Sequence, residues 1–433
     1  MQRIEIHNFG PIKEASIEIP KFLLLIGEQA SGKSTVAKLI YFFRSLKDDF
    51  LKRKYRISPI GYSWKNDFEI PTRKKLIEFF GWPLNEEFEI TFYYTFSNSV
   101  SIRWDNKTLS VEMSDSFKKA LKGLPKIKVV EPLSKAALDD SELVNALDKY
   151  FNIPTQDSLY LIAERSSMVR FGNLFERLFS RELESNLHQL TLAQNQAIEE
   201  ILLMQFLDRI AFLKDYFSFS DRFKNIKSND IRLKWMINCM YSILKGEYSN
   251  RSVERISWGN NTKESVFLRN ASSGQQEVIR ILQDSIWIVE QNVKAFRVLE
   301  EPESHLFPLA QKKLLEFLAT MLNASEDNTL VITTHSPYIL SSVNNLLFAS
   351  HVASKFPELT EAIQSKVKNI SWVNPSEFRA YALDQKEKIY CKSIVDERTG
   401  MIAQNYLDSV SDELSSEFNQ IYKLYLSKIK EAK

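Results

Sequence analysis

The sequence is poor in the residues that build disulfide or metal frameworks. Its 433 residues include two cysteines, Cys239 and Cys391, which lie far apart and outside any CxxC pair. They therefore predict a reducing compartment and exclude a disulfide or zinc framework. Histidines are also too few and too scattered for a metal site or an HNH nuclease: His7, His188, His305, His335 and His351.

Long hydrophobic runs and an excess of one charge are missing as well. No apolar segment approaches the ~20 residues of a membrane span, and no basic-then-apolar signal opens the chain. The 57 basic and 55 acidic residues leave a net charge of +2. This balance does not indicate DNA or an acidic membrane as a partner. It is still compatible with a local basic surface that binds DNA. We expect a cytoplasmic protein that acts without a membrane.

What the sequence does contain is a phosphate-binding loop near its N-terminus. The apolar run 22–26 leads into a GxxxxGK[ST] pattern, and residues 36–41 continue with helical periodicity. In this order, backbone N–H groups of the loop and of the helix start can face phosphate oxygens. Lys33 would reach the β- and γ-phosphates, and the Ser34 hydroxyl would ligate Mg²⁺. The loop consists of Gly27, Glu28, Gln29, Ala30, Ser31, Gly32, Lys33, Ser34 and Thr35.

Two carboxylates follow the apolar run 295–299. Glu300 and Glu301 stand side by side and precede Pro302. A nucleotide hydrolase needs such groups opposite its phosphate loop. Glu300 would hold the waters around Mg²⁺, and Glu301 would act as general base or orient the attacking water. An acidic strand end is also common on protein surfaces, so the motif depends on its neighbours for support.

Motifs on both sides of the carboxylates supply that support. Upstream, a helix opens with Ser272, Ser273, Gly274 and Gln275. A small-residue turn at a helix start binds anions, with Ser272 and Gly274 placed to meet a phosphate. The alternative is an ordinary N-cap in which Ser273 and Gln276 form a capping box. Downstream, His335 follows the apolar strand 329–334, where its side chain would touch the γ-phosphate.

The pattern along the chain predicts four regions. Residues 1–172 form a first lobe with the phosphate loop and an antiparallel β subdomain, because alternating segments dominate there. Residues 173–250 form an all-helical insertion, since residues 173–245 lack glycine and proline and repeat apolar residues at helical spacing. Residues 251–350 form a second lobe with the paired carboxylates and His335. Residues 351–433 form an α-rich C-terminal extension.

With its motifs in this order, the chain resembles an ABC-type ATPase. The branch it is similar to contains the SMC, RecF and OLD (overcoming lysogenization defect) proteins. Residues 271–275 stand where these families carry a Leu-Ser-Gly-Gly-Gln signature, and they depart from it at the first and third positions. Residues 4–12 and 303–308 also match segments of the branch. Residues 160–166 resemble a strand-end segment there, which places Glu164 and Arg165 beside the site; a structural ion pair is the alternative.

The resemblance implies an α/β ABC-ATPase head. Such a head is a P-loop NTPase with a mixed sheet and an antiparallel β subdomain, here carrying the helical insertion. It implies ATP and Mg²⁺ as cofactors and hydrolysis of ATP to ADP and phosphate. One subunit would supply the phosphate loop, the paired carboxylates and His335, and another would supply Ser272 and Gly274. The chain would then act as a head-to-tail dimer, or in a larger ring, with Ser304 and His305 at the interface.

Features of related ATPases that the sequence lacks restrict the function that we expect. The chain lacks the zinc-hook CxxC and long coiled coil of SMC proteins and a C-terminal Toprim-like nuclease block. It resembles the stand-alone ATPase subunits of anti-phage systems such as PARIS and Septu. We therefore expect a sensor and scaffold that controls a separate effector nuclease or toxin and responds to a phage trigger protein.

Two other functions remain open. A RecF/SMC-like ATPase of DNA repair or recombination would show salt-dependent DNA affinity. A P-loop kinase would have no use for residues 272–276 or for His335.

Overall fold

The architecture comes from a computed structural model of the chain. It describes residues 1–56, 63–81, 87–124, 142–169, 198–218, 230–250, 253–258, 264–385, 389–403 and 420. Much of the predicted helical insertion, residues 173–197 and 219–229, lies outside the described residues, as does most of the chain after residue 403.

A five-stranded antiparallel sheet opens the fold. β1 (Gln2–Phe9) and β2 (Ile12–Ile19) form a hairpin around Gly10, whose φ of 57° suits glycine. The other strands are β4 (Phe88–Tyr93), β5 (Ser99–Trp104) and β6 (Leu109–Met113). The order across the sheet is β2-β1-β4-β5-β6. This sheet confirms the predicted antiparallel β subdomain.

A six-stranded sheet forms the centre of the molecule. Its strands are β3 (Phe22–Gly27), β7 (Asp157–Leu161), β11 (Ala295–Glu300), β12 (Thr329–Thr334), β13 (Phe378–Leu383) and β14 (Cys391–Ser393). They run in the order β14-β13-β3-β12-β11-β7. Five strands are parallel, and β14 at the edge is antiparallel. The carboxyl ends of the parallel strands therefore share one edge, where open α/β sheets bind ligands.

Helices and the first sheet cover the two faces of the central sheet. On one side lie the antiparallel sheet with α1 (Lys33–Arg56), α2 (Ile70–Phe80), α3 (Asp115–Lys122) and α4 (Glu142–Phe151). On the other side lie α5 (Ile198–Tyr216), α6 (Ile231–Leu244), α7 (Ser273–Glu290), α8 (Pro308–Leu322) and α9 (Pro337–Lys355). A π-helical turn (Lys65–Glu69) precedes α2, and the short α10 (Thr360–Gln364) follows α9.

Strand β3 shows why the sheet lies between these layers. Leu23 and Leu25 pack into the hydrophobic cluster on the α1 side, whereas Phe22 and Leu24 pack into the cluster on the α7 side. Successive side chains of a strand point to opposite faces, so a continuous apolar run is buried on both. The phosphate loop follows this strand directly and therefore starts from a rigid, buried position.

A small three-stranded sheet lies apart from the central one. β8 (Glu247–Asn250), β9 (Glu254–Ser257) and β10 (Ser265–Phe267) pair antiparallel in the order β10-β9-β8. β8 falls inside the region expected to be all helical. A four-residue strand carries too short a pattern to be recognised without its partners.

The C-terminal region departs from the expected α-rich extension. Residues 378–383 form β13, which pairs parallel with β3 and completes the central sheet. Residues 391–393 return as β14 beside it. The apolar alternation of β13 is short and follows several turns, so its position next to β3 is a consequence of tertiary pairing. Within the described residues, no helix is both long and apolar enough to cross a membrane.

A buried ionic cluster ties the sheet to the helices. The Arg297 guanidinium on β11 donates to Asp284 of α7 at 2.6 Å and to Asp157 of β7 at 2.7 Å. Arg209 of α5 contacts both carboxylates as well. Burial alone would raise the pKa of Asp157, but the two arginines outweigh burial and lower it. Removing one cation from such a cluster leaves carboxylates without full compensation.

We expect Arg297→Met to lower the free energy of unfolding by about 3 kcal/mol, near the low end for a broken buried pair because Arg209 remains. The change removes the charge and preserves the length of the side chain. Arg398→Met is the matched control, because Arg398 pairs with Asp396 at 3.5 Å with an 89% exposed side chain. Exposed pairs contribute about 0–1 kcal/mol. Urea titration followed by circular dichroism measures both; equal losses would contradict the expectation.

Candidate functional site

The phosphate loop curls around its own lysine. Lys33 is the first residue of α1, and its Nζ donates to the carbonyls of Gly27 at 3.0 Å and Glu28 at 2.7 Å. Burial lowers the pKa of Lys33, while the carboxylates at the end of β11 act in the opposite direction. The ammonium group is thus held inside the loop, next to the acidic strand end.

The remaining loop residues divide into buried and exposed groups. Ser31 and Gly32 are buried, and Thr35 is half-buried. Glu28, Gln29, Ala30 and Ser34 are exposed. Ala30 has φ 62° and Gly32 has φ 93°, so the backbone turns through left-handed conformations on the way to the helix.

Glu300 lies at the end of β11 with both carboxylate oxygens oriented by neighbours. Tyr160 of β7 donates its hydroxyl to Oε1 at 2.5 Å, and the Ala163 backbone N–H donates to Oε2 at 3.2 Å. Each carboxylate oxygen can accept more than one hydrogen bond. The carboxylate, together with the exposed Ser34 hydroxyl, is therefore a donor set of the kind that Mg²⁺ and its waters use.

Glu301 and His335 meet at the same edge. His335 Nε2 lies 3.0 Å from Glu301 Oε1, and both side chains are partly exposed. Glu301 has φ 40° and donates its backbone N–H to the Thr333 carbonyl at 3.0 Å. Ser304, which we expected at a subunit interface, donates its hydroxyl to Glu301 Oε2 at 3.5 Å within the same chain. The pair stands next to solvent at the end of two neighbouring strands.

Glu303 is a site residue that the sequence analysis did not single out. Its Oε1 accepts from the Thr334 hydroxyl and from the His335 backbone N–H, the latter at 3.2 Å. Burial raises the pKa of Glu303. Its Oε2 is buried and has no hydrogen-bond partner among the described residues. Glu303 therefore connects the turn after β11 with the residue that carries the imidazole.

Arg165 lies directly beneath the paired carboxylates. Its guanidinium donates to the backbone carbonyls of Glu300 at 2.7 Å and Glu301 at 3.0 Å. It also pairs with Glu277 of α7 at 3.4 Å, and both side chains are fully buried. Burial lowers the pKa of Arg165, and Glu277 is the largest opposing influence. Arg165 thus both forms a structural ion pair and lies beside the site, because the paired guanidinium also contacts the acidic strand end. The neighbouring Glu164 is exposed.

The signature segment opens α7 with a capping box. Ser272 Oγ accepts from the Gln275 backbone N–H at 3.4 Å, and Gln275 Oε1 accepts from the Ser272 N–H at 3.1 Å. The pair is therefore Ser272 and Gln275, and the alternative pair of Ser273 and Gln276 was wrong. Gln276 is buried and donates to the carbonyls of the preceding turn.

Gly274 has a packing role in this segment. A Cβ placed on it would lie 2.6 Å from the carbonyl oxygen of His305. The start of α7 therefore packs on the turn after the paired carboxylates, and only glycine fits this contact. Ser272 and the His305 side chain are exposed beside it, whereas Ser273 is partly exposed.

The central sheet thus brings the predicted residues together in a way that sequence order does not. Strand ends β3, β12 and β11 lie side by side and carry the phosphate loop, His335 and the two carboxylates. Five residues that contact the site were not named individually from the sequence: Tyr160, Glu277, Glu303, Gln385 and Tyr390. Among them, only Glu303 offered a local signal, because it belongs to the acidic run Glu301-Pro302-Glu303. Their contacts join residues distant along the chain.

A GxxxxGK[ST] loop, two carboxylates and a histidine on one edge of a parallel sheet are the groups that an ATP-binding ATPase site requires. The chain belongs to the AAA ATPase domain family, whose model matches residues 1–340. It is accordingly an enzyme that hydrolyses ATP. Comparison with curated proteins finds no significant match.

Solved structures with some similarity include heads of SMC proteins. One, an SMC head bound to the C-terminal winged-helix domain of ScpA, is 11% identical, with TM-score 0.42, covering 92% of this chain and 98% of the other. A second, from Pyrococcus furiosus and bound to the C-terminal domain of ScpA, is 11% identical, with TM-score 0.40 and coverage of 96% and 100%. The SMC head from Thermotoga maritima is 10% identical, with TM-score 0.36 and coverage of 78% and 90%.

We expect Arg165→Lys to lower kcat of ATP hydrolysis about tenfold or more while the KM for ATP changes less than twofold. Lysine keeps the charge, but its single nitrogen lacks the planar fork with which Arg165 reaches the Glu300 and Glu301 carbonyls and Glu277 at once. Small misplacements of reacting groups cost up to about a hundredfold in rate. Arg209→Lys, at a partly buried arginine in the ionic cluster away from the site, is the control. Phosphate-release kinetics measure both; equal loss of kcat in the two variants would refute the positioning role.

Proposed function

We propose that two copies of this ATPase sandwich ATP head to tail. The phosphate loop, Glu301 and His335 of one copy would face Ser272 and Gly274 of the other. What supports this arrangement is the exposure of Ser272 and His305 beside the edge that carries the loop. A helix start carries partial positive charge and can bind the phosphate of a neighbour.

Exposed aromatic side chains around the edge support the same arrangement. Phe307 is 78% exposed at the start of α8, and Tyr338 is 52% exposed at the start of α9. Gln311 joins these helix starts, because it donates to the Leu306 carbonyl at 2.9 Å and accepts from the Ser336 hydroxyl at 2.6 Å. Exposed aromatics that cluster around a polar site are typical of protein interfaces.

Within the sandwich, Glu301 is proposed to take a proton from the water that attacks the γ-phosphorus, while the bond from that phosphorus to the β–γ bridging oxygen breaks and ADP leaves. His335, 3.0 Å from Glu301 in this structure, would then turn to the γ-phosphate. Lys33 would leave its contacts with the Gly27 and Glu28 carbonyls and pair with phosphate oxygens. Exchange of these contacts would link nucleotide binding to closure of the dimer.

Ser34 and Glu300 are the residues that we propose for Mg²⁺. The ion, when bound, would neutralise charge on the β- and γ-phosphates. Tyr160 and Ala163 hold the Glu300 carboxylate in one orientation, so it can receive the waters around the ion without rearranging.

For the cellular role, we propose a sensor and scaffold in an anti-phage defence system. The dimer would hold a separate effector nuclease or toxin and release or activate it when a phage component is detected. The support is the resemblance to stand-alone OLD-like ATPases together with the ATPase domain. An ATP-driven assembly is a suitable switch because closing and opening change which surfaces are available.

We expect Glu301→Gln to slow ATP hydrolysis at least about a hundredfold and to accumulate an ATP-bound dimer, because general-base catalysis contributes about 10²–10⁴-fold. Lys33→Ala should fail to dimerise with ATP. Light scattering after size-exclusion chromatography measures the assembly. Wild-type turnover in Glu301→Gln would exclude Glu301 as the base.

The same trapped variant tests the interface. Adding Phe307→Asp to Glu301→Gln should return the protein to monomer in ATP. Adding Phe348→Asp, which alters another exposed aromatic (53%) on α9, should leave the dimer intact. A dimer that tolerates Phe307→Asp would place the interface elsewhere.

The defence role predicts that the protein restricts phage growth only with its ATPase intact. Host strains carrying the native gene with its neighbours should reduce plaque numbers by at least about tenfold, whereas Lys33→Ala in the same locus should not. Equal plaque numbers in both strains across a diverse phage panel would contradict the proposal. DNA-stimulated ATP hydrolysis that weakens steeply with salt would instead favour a DNA-repair ATPase.

A further inference from the structure

Two side chains of the C-terminal hairpin, β13–β14, donate hydrogen bonds to the backbone of the phosphate loop. Tyr390 lies 359 positions after Ser31 and donates its hydroxyl to the Ser31 carbonyl. Gln385 of the same hairpin donates its side-chain amide to the Ala30 carbonyl at 3.1 Å. Two consecutive carbonyls of the loop are therefore directed toward the hairpin.

The direction of these carbonyls decides where the loop N–H groups point. In a trans peptide the C=O and the following N–H lie in one plane and point in opposite directions. A hydrogen bond that draws the Ser31 carbonyl toward Tyr390 therefore turns the Gly32 N–H away from the hairpin, into the loop. Inward N–H groups are the groups that hold phosphate in such loops.

Both glycines of the GxxxxGK pattern lie against this hairpin. A Cβ on Gly32 would stand 2.5 Å from the Tyr390 hydroxyl, and one on Gly27 would stand 2.3 Å from the Leu383 carbonyl oxygen. Gly32 in addition has φ 93°. The close approach of the hairpin therefore requires the absence of a side chain at each position.

Tyr390 is suited to this contact at neutral pH. Its side chain is 5% exposed, and burial raises its pKa to about 12, so the hydroxyl keeps its proton and remains a donor. The Asp384 N–H donates to the Tyr390 carbonyl at 2.9 Å, which fixes the hairpin ends to each other. Since β13 pairs along the whole of β3, the hairpin and the loop share one rigid base.

We propose that Tyr390, assisted by Gln385, is a positioning residue for ATP: the C-terminal hairpin preorganises the phosphate loop. This inference rests on the proposed assignment of residues 27–35 as the ATP site. The hydroxyl contacts loop backbone and lies outside the reacting groups, so its contribution falls on binding. ATP affinity thereby depends on a segment beyond residue 340, where the family match ends.

The experiment compares Tyr390→Phe with Tyr381→Phe in the full-length protein. Each change removes one hydroxyl from the hairpin, and the Tyr381 hydroxyl accepts from the Glu18 N–H at 3.0 Å, away from the loop. Tyr390→Phe should raise the Kd and KM for ATP about five- to tenfold, as expected for one lost hydrogen bond, with kcat within about twofold. Tyr381→Phe should keep wild-type Kd and KM.

Calorimetric titration with ATP and phosphate-release kinetics give these constants, and thermal unfolding reports on stability. Equal Kd in the two variants, or a lower melting temperature of Tyr390→Phe with unchanged Kd, would overturn the proposal. Lys33→Ala in the same titration separates the two assignments. If Lys33→Ala binds ATP like wild type, the loop assignment fails; if it loses ATP while Tyr390→Phe does not, the positioning role alone fails.

Discussion

The parallel pairing of β3 with β12, and of β12 with β11, is the constraint on which the remainder of the site depends. Parallel strands point their carboxyl ends the same way, and candidate site residues lie at or directly after the end of each of these three strands. The register pairs Thr334 with Ile26 and Glu300 with Thr333, so the loop, His335 and the carboxylates begin at one level. The apolar layers on both faces stabilise that register, because a one-residue slip would move every side chain of the strand to the opposite face and disrupt the packing of both layers.

Buried polar groups then orient what the strands bring together. Arg165 is fully buried, and its guanidinium donates hydrogen bonds to the backbone carbonyls of Glu300, Glu301 and Glu277. Glu303 holds the peptide that carries His335. Burying a charged group is unfavourable unless the group is hydrogen-bonded, so these residues contribute little to the stability of the fold. Because their hydrogen bonds are directional, they instead fix the geometry of the site. The site is consequently built from three distant regions of the chain, each held by a polar contact within a hydrophobic core.

The sequence predicted those parts of the site that depend on residues close together along the chain. The phosphate loop was recognisable because a buried strand, two glycines and a helix start stand within about fifteen residues. The cap of α7 was also anticipated, although the partners were assigned one residue too late. Glu277 and Tyr160 were not, since a charged residue within a helix and a tyrosine within a strand look ordinary until the fold supplies Arg165 and Glu300. The hairpin carrying Tyr390 was missed for the same reason, with the region around it expected to be helical.

From the sequence alone we predicted that the chain binds a nucleoside triphosphate and that its carboxylates and His335 belong to one site. Those conclusions follow from short-range patterns, in which backbone conformation and residue type specify the chemistry. Only the tertiary structure decided which groups position the reacting residues. Arg165, Glu303 and Tyr390 acquire their roles from long-range contacts, and such contacts depend on strand order and burial, for which one sequence carries no local signal.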